Sequence, residues 1–204
     1  MGSADYEFLT VWRVAGTPED VAAVLGDARL LPRWWPSVYL AVEPAGGTLE
    51  GSPAPGVPRP VHLHTKGWLP YTLRWTLTVT EPVTNRGFAL TAAGDLNGTG
   101  RWTFEQDGPE TVITYDWRVS AAKPLLRRLS WLLKPAFAAN HRWAMARGGE
   151  SLALELRRRR HRDDPQSVPL PPGPTFRQLR TVNLAAAGAA GVPDRGCGSR
   201  VCPN

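Results

Sequence analysis

GFALTAAGDLNGTGRWTFEQDGPETVITYDWRV, residues 87–119, decides the architecture. It divides into three runs rich in Thr, Val, Ile and aromatic residues, at 86–94, 98–106 and 111–119, the composition of strands. Asn97-Gly98 between the first two is the strongest short hairpin signal, and Asp107-Gly108 marks the next turn. Successive hairpins require an antiparallel sheet. Just upstream, YTLRWTLTVT (71–80) alternates cleanly, with Tyr71, Leu73, Trp75, Leu77 and Val79 on one face and Thr72, Arg74, Thr76, Thr78 and Thr80 on the other. A period of two with one polar side is a sheet wet on one face.

Further strands are predicted at 7–14, 38–42 and 60–66. Between the first two, Thr17-Pro18-Glu19-Asp20 supplies an N-cap, a proline at the first helical position and acids in the first turn. The helix it opens, VAAVLGDA, is short, and LLPRWWP forms a second turn-and-helix broken by Pro32 and Pro36. Residues 46–58 are a Gly/Pro-rich loop. From Pro124 to about Arg160 apolar residues recur at helical spacing, among them Leu125, Leu129, Leu132, Ala136, Trp143, Met145 and Leu152, with a kink expected at Pro135. One long helix covering one face of an antiparallel sheet is an α+β domain.

The charge separates the chain into two parts. Residues 157–204 hold nine Arg against Asp163, Asp164 and Asp194, so the whole net +6 lies there, and the preceding 156 residues balance at 15 of each sign. A neutral domain lacks the basic face that phosphate backbones demand, so no nucleic acid partner is expected. All nine Trp and all four Tyr precede residue 157. The remainder is Arg-, Pro- and Gly-rich and is expected to be a mostly disordered tail, 158–204, after a domain at 1–157. Its cluster Arg157 to Arg160, with His161 and Arg162, reads either as a solvated helix end suited to the helix dipole or as a weak contact for an acidic surface. No apolar run is long enough to cross a bilayer, and MGSADYEFLT lacks the features of a signal peptide, so the expected location is cytoplasmic. Cys197 and Cys202 both sit in the last eight residues and are expected as free thiols.

The order β-α-α-β-β-β-β-β-β-α resembles the helix-grip fold of the START-like (SRPBCC) superfamily, whose bacterial branch includes polyketide cyclase/dehydrase and lipid-transport-like proteins. EFLTVWRVAGTPEDVAAVLGDARLLPRWWPSV resembles its first strand and helix pair, and residues 87–119 its late strands. PLLRRLSWLLKPAFAANHRWAMARGGESLALEL resembles its C-terminal helix. The resemblance covers nearly all of residues 5–157. It implies a curved sheet of six to seven strands wrapped around the long helix, two short helices after strand 1, and a cavity between sheet and helix. A hydrophobic small molecule, aromatic, polyketide-like or lipid-like, is the partner it implies.

In such a fold the aromatic inventory supplies a cavity wall. Trp34, Trp35 and Tyr39 are expected near its mouth, Tyr71, Leu73 and Trp75 on a central strand, Trp102, Phe104, Tyr115 and Trp117 on late strands, and Phe137, His141 and Met145 on the helix. Apolar walls with a few polar handles suit small-molecule pockets. Taken singly, each ring could equally fill a core. The Pro-bracketed pair Trp34-Trp35 is expected to project at the entrance as a gate. His62, His64 and Lys66 share the face opposite Val61, Leu63 and Thr65 and are expected outside, and a metal would need a third ligand there, so none is expected. Asp116 and Arg118 are expected as cross-strand pairs on the outer face. There is no phosphate-binding glycine loop and no nucleophile elbow, so no cofactor is implied. His141 could act as a general acid/base or sit as a hydrogen-bonded core residue. Three functions remain: a carrier of a hydrophobic ligand, a polyketide cyclase/dehydratase, and a partner-binding module with a filled core.

Overall fold

In the computed structural model, residues 6–46, 55–121, 130–161 and 163–175 are described. Seven antiparallel strands form one sheet: β1 (Tyr6–Ala15), β2 (Tyr39–Pro44), β3 (Val61–Lys66), β4 (Thr72–Val79), β5 (Gly87–Gly94), β6 (Leu96–Asp107) and β7 (Glu110–Ala121). Their spatial order is β1-β7-β6-β5-β4-β3-β2, so the chain crosses from one edge strand to the other through the short helices α1 (Pro18–Leu25) and α2 (Leu31–Trp34) and then walks back by hairpins. The helix α3 (Ser130–Arg160) covers the concave face and runs unbroken through Pro135. This is the expected helix-grip arrangement. The first described turn of α3 begins at Ser130, and the expected start at Pro124 lies outside the described residues.

The local signals behave as their chemistry dictates at α1. Thr17 accepts from the Asp20 amide at 3.2 Å and Asp20 accepts from the Thr17 amide at 3.4 Å, a reciprocal cap with Pro18 in the first turn. The hairpin signal at Asn97-Gly98 misplaces its turn. Both residues already belong to β6, facing Ser120 and Val119, and the chain reverses at Asp95. Gly94 takes the reversal at φ +129°, a conformation that favours glycine. The Asn97 side chain then accepts from the Gly94 amide at 3.1 Å, so asparagine closes the turn from outside it. Asp95 in turn accepts from the Arg74 amide on β4 at 2.9 Å. Pro32, read as a breaker, instead occupies the first turn of α2, where its missing N–H costs nothing. Asp116 and Arg118 bridge to each other along β7, at 3.1 Å, and each also faces the expected opposite charge across a strand, Arg101 of β6 and Glu7 of β1.

The end of α3 is bound down by the cations that the charge count singled out. Glu155, 2% exposed, accepts from both Arg158 and Arg159. Arg159 also donates to the Ala23 carbonyl of α1, Arg160 to that of Ala15 at the end of β1, and Arg158 to that of Pro169. The helix thus extends three residues past the expected domain boundary at 157. Val168, beyond it, is buried at 4% exposure. Residues 176–204, with Phe176, Cys197 and Cys202, lie outside the described residues, as does Arg162.

At Gly148 and Gly149 the helix α3 lies directly against neighbouring rings. Trp12 of β1 and Trp35 after α2 are in edge contact, ring centroids 5.7 Å apart, and lie against Gly149 and Gly148 respectively. A Cβ on Gly148 would fall inside the Trp35 indole. Alanine favours a helix interior over glycine by about 1 kcal/mol, but overpacking a tight contact costs about 1–3 kcal/mol. Gly148→Ala is therefore expected to lower stability despite its better helix propensity, measured as a fall in the urea midpoint. A rise would mean that Trp35 has room to move.

Candidate functional site

A cavity of about 200 Å³ lies between the concave face of the sheet and the first half of α3. The inward face read from 71–80 lines it in full: Tyr71, Leu73, Trp75, Leu77 and Val79. Of the other expected residues, Trp35, Tyr39, Trp102, Tyr115, Trp117, Phe137, His141 and Met145 also line it. The strands present these rings as a continuous aromatic surface. Trp102 stacks on Tyr115 across the β6–β7 pair at 3.9 Å and 15°, and Tyr115 lies near-parallel to Trp117 at 5.7 Å. Gly100, opposite Trp117, leaves the space that these two rings occupy. The interior is therefore not a filled core.

Three expectations are corrected. Trp34 is fully buried and does not reach the cavity, and Trp35 is 3% exposed, so the pair is no gate. Because Pro32 starts a helical turn instead of breaking one, α2 tucks both indoles inward, 5.4 Å apart, with Trp35 in contact with Trp12 and Tyr39. Phe104 packs against Phe88 in the core and does not line the cavity. Lys66 does not share the exposure of His62 and His64, although its pairing with Thr72 keeps it on their face of the sheet, the outer one. The two histidines do lie there, His62 within hydrogen-bond distance of Thr76 at 2.9 Å and His64 beside Arg74. After Thr65 the alternation of β3 stops, and Thr65 and Lys66 are both buried and both line the cavity. At this end of β3 the register of β2 shifts between Tyr39 and Ala41, and the Lys66 amide donates to the Val38 carbonyl. Among the described residues no group of three His, Cys, Asp or Glu gathers at one point.

The sequence reading also missed Tyr6 and Phe8 of β1, which line the cavity beside Phe137 and His141. Their inward alternation with Trp12 and Val14 was the available signal. Asn140 could not have been found from sequence. Its side-chain oxygen accepts from the amides of Trp68 at 2.9 Å and Leu69 at 3.3 Å, binding the 67–71 loop to α3. The partly exposed lining residues Phe8, Tyr71, Phe137 and Asn140 gather at this end of the cavity.

Burial keeps the phenols of the wall and His141 uncharged. Desolvation pushes the Tyr71 phenol up to about 12 and those of Tyr39 and Tyr115 well above the ordinary range. His141 is stacked on Phe8, centroids 3.9 Å apart, and burial, helped by Arg142, lowers it to about 4. The Trp75 indole donates to Thr65 at 3.1 Å. The Trp35 indole nitrogen and His141 Nε2, by contrast, are buried without a hydrogen-bond partner. Lone buried polar atoms at a cavity wall are positions that a bound molecule can satisfy.

Two stability measurements follow. Trp34→Ala and Trp35→Ala are each expected to lower the unfolding midpoint, at a cost of about 3–5 kcal/mol, as for any large core ring. A variant that kept its midpoint would restore the gate. For His141, the unfolded chain takes up a proton below about 6.5 while the folded protein does so only near 4. Stability from this residue is thus complete above about pH 6.5 and is lost as the pH falls towards 4. Between pH 7 and 4.5, His141→Gln is expected to lose about 2–3 kcal/mol less than the unsubstituted protein, read from denaturant curves. Parallel pH profiles would place the imidazole in water.

The profile of the family described as polyketide cyclase/dehydrase and lipid transport matches residues 8–157. Among solved structures, TTHA0849 from Thermus thermophilus is 18% identical, with a TM-score of 0.57, covering 78% of this chain and 99% of that one. The Zhui aromatase/cyclase from Streptomyces sp. R1128 is 17% identical, with a TM-score of 0.56 and coverage of 76% and 94%. A conserved protein from Geobacillus kaustophilus is 13% identical, with a TM-score of 0.53 and coverage of 74% and 95%. At these identities the likeness shows a shared fold. No curated protein matches the chain. The short helices, most of α3, and the sheet and cavity wall apart from the first residues of β1 fall within the matched span, and on that ground the chain belongs to the polyketide cyclase/dehydrase and lipid-transport family, START-like in fold.

Proposed function

We propose that this protein binds or carries a hydrophobic small molecule, aromatic in character, in the cavity between sheet and α3. The observation that supports it is the wall itself: stacked indole and phenol rings around an unfilled space of about 200 Å³. A dry apolar cavity of about 150 Å³ accepts benzene, so this one suits a molecule of one or two rings better than a sterol or an extended acyl chain. The test is a titration of intrinsic tryptophan fluorescence with a panel of small aromatics, aromatic polyketides, sterols and fatty acids. Quenching or a spectral shift at tens of micromolar with the compact aromatics is expected. No response to any apolar compound would overturn the reading. Among the described residues no helix is long and apolar enough to cross a membrane.

A second reading, a cyclase or dehydratase on a polyketide-like substrate, draws on the polar groups that line the same space: His141, Tyr39 and Tyr71. Proton transfer is most effective when the catalytic group titrates near the working pH. A histidine lowered to about 4 is a weak base, and a phenol raised to about 12 is a weak acid. The wall is therefore better suited to holding a ring than to moving its protons.

A further inference from the structure

Resting on the binding reading above, we infer that the ligand carries oxygen at both ends of a compact aromatic frame: a hydroxyl read by His141 at the partly exposed end of the cavity, and an accepting oxygen held by the Trp35 indole at the buried end. The Trp35 indole nitrogen and His141 Nε2 are both buried without a hydrogen-bond partner, and both side chains line the cavity. Trp75, on the same wall, shows the ordinary solution, since its indole donates to Thr65 at 3.1 Å. A buried polar atom left unpaired is a cost to the folded chain that a ligand oxygen removes. The chemistry of the two nitrogens sets what can fill them. An indole N–H only donates, so Trp35 takes any accepting oxygen. The Nε2 of a neutral imidazole donates or accepts according to its tautomer, and a hydroxyl, which does both, satisfies it either way.

The helix measures their separation. A Cβ on Gly148 would meet Cε2 of Trp35, the atom bonded to the indole nitrogen, so that nitrogen lies level with Gly148 on α3. His141 stands seven residues earlier on the same helix, about 10 Å along its axis. A hydrogen bond of about 3 Å at each end leaves the length of two fused rings between the oxygens. Over that interval α3 presents Ala144 and Met145 to the cavity, and the sheet presents Trp102 stacked on Tyr115. Rings lying along the helix thus have apolar wall on both faces and an unpaired nitrogen at either end. A molecule with both oxygens at one end leaves one nitrogen unpaired, whatever its hydrophobicity.

Isothermal titration calorimetry at pH 7.5 on the full chain, with three probes of matched shape, tests this. The probes are 2,6-dihydroxynaphthalene, 2,3-dihydroxynaphthalene and 2-naphthol. The two diols carry the same groups and differ only in where they place them. The 2,6-diol is expected to bind at least tenfold tighter than either of the others, about 1.4 kcal/mol. His141→Phe keeps a ring against Phe8 and removes the nitrogen, and in this variant the 2,6-diol and 2-naphthol are expected to bind within about threefold of each other. Equal affinities on the unsubstituted protein, or a preference for the 2,3-diol, would overturn the two-ended assignment while leaving the binding reading intact. A 2,6-preference that survives in His141→Phe would remove His141 from the role. Binding of none of the three would remove the binding reading and this inference together. The comparison of the two diols on the unsubstituted chain decides the placement of oxygen even if His141→Phe fails to fold.

Discussion

The close approach of α3 to two indoles, Gly148 to Trp35 at the end of α2 and Gly149 to Trp12 of β1, is the contact around which the rest of the structure is arranged. Glycines at 148 and 149 let the helix settle directly on two indoles, Trp35 and Trp12, at the middle of its length. On the C-terminal side of that contact the packing is dense, with Leu152, Glu155 and Leu156 nearly inaccessible. On the N-terminal side the helix presents Phe137, His141, Ala144 and Met145 to open space. One helix thus acts as anchor at one end and as cavity wall at the other. A curved sheet and a helix can touch closely over only part of their length, and the space left over is the site.

The charge distribution serves the same division. The anchored end of α3 uses its arginines as staples, two of them on the buried carboxylate of Glu155 and several on backbone carbonyls of neighbouring elements. Arginine suits this because its planar fork donates in several directions at once. The cluster that looks from composition like a surface for acidic partners is therefore largely engaged in holding the fold. Inside the cavity, by contrast, burial keeps the phenols and His141 uncharged.

Much of this architecture could be read along the chain. Hairpin spacing across 87–119 and strict alternation across 71–80 require an antiparallel sheet with one buried face, because successive strand residues point to opposite sides. The same alternation correctly assigns Tyr71, Trp75, Trp102, Tyr115 and Trp117 to the inner face, and helical spacing assigns Phe137, His141 and Met145 to the covering face of α3. The capping pattern at Thr17 likewise starts α1 where the residues demand it.

The departures lie where a local rule meets a long-range contact. Periodicity predicts an exposed Lys66, yet it is buried where the chain leading into the shifted β2 meets its backbone. Proline chemistry permits both a break and a helix start at Pro32, and packing against α3 selected the start, which buried Trp34 and Trp35. Asn97-Gly98 has the composition of a turn, yet the pairing of β6 with β7 holds both residues in a strand and moves the reversal to Gly94 and Asp95. Asn140 acquires its role from amides some seventy positions earlier in the chain. Residue type and spacing decide which elements form and which faces they bury. Register shifts and helix–sheet distance depend on contacts between elements far apart in sequence, so the volume and the polar groups of the cavity emerged only in the folded chain.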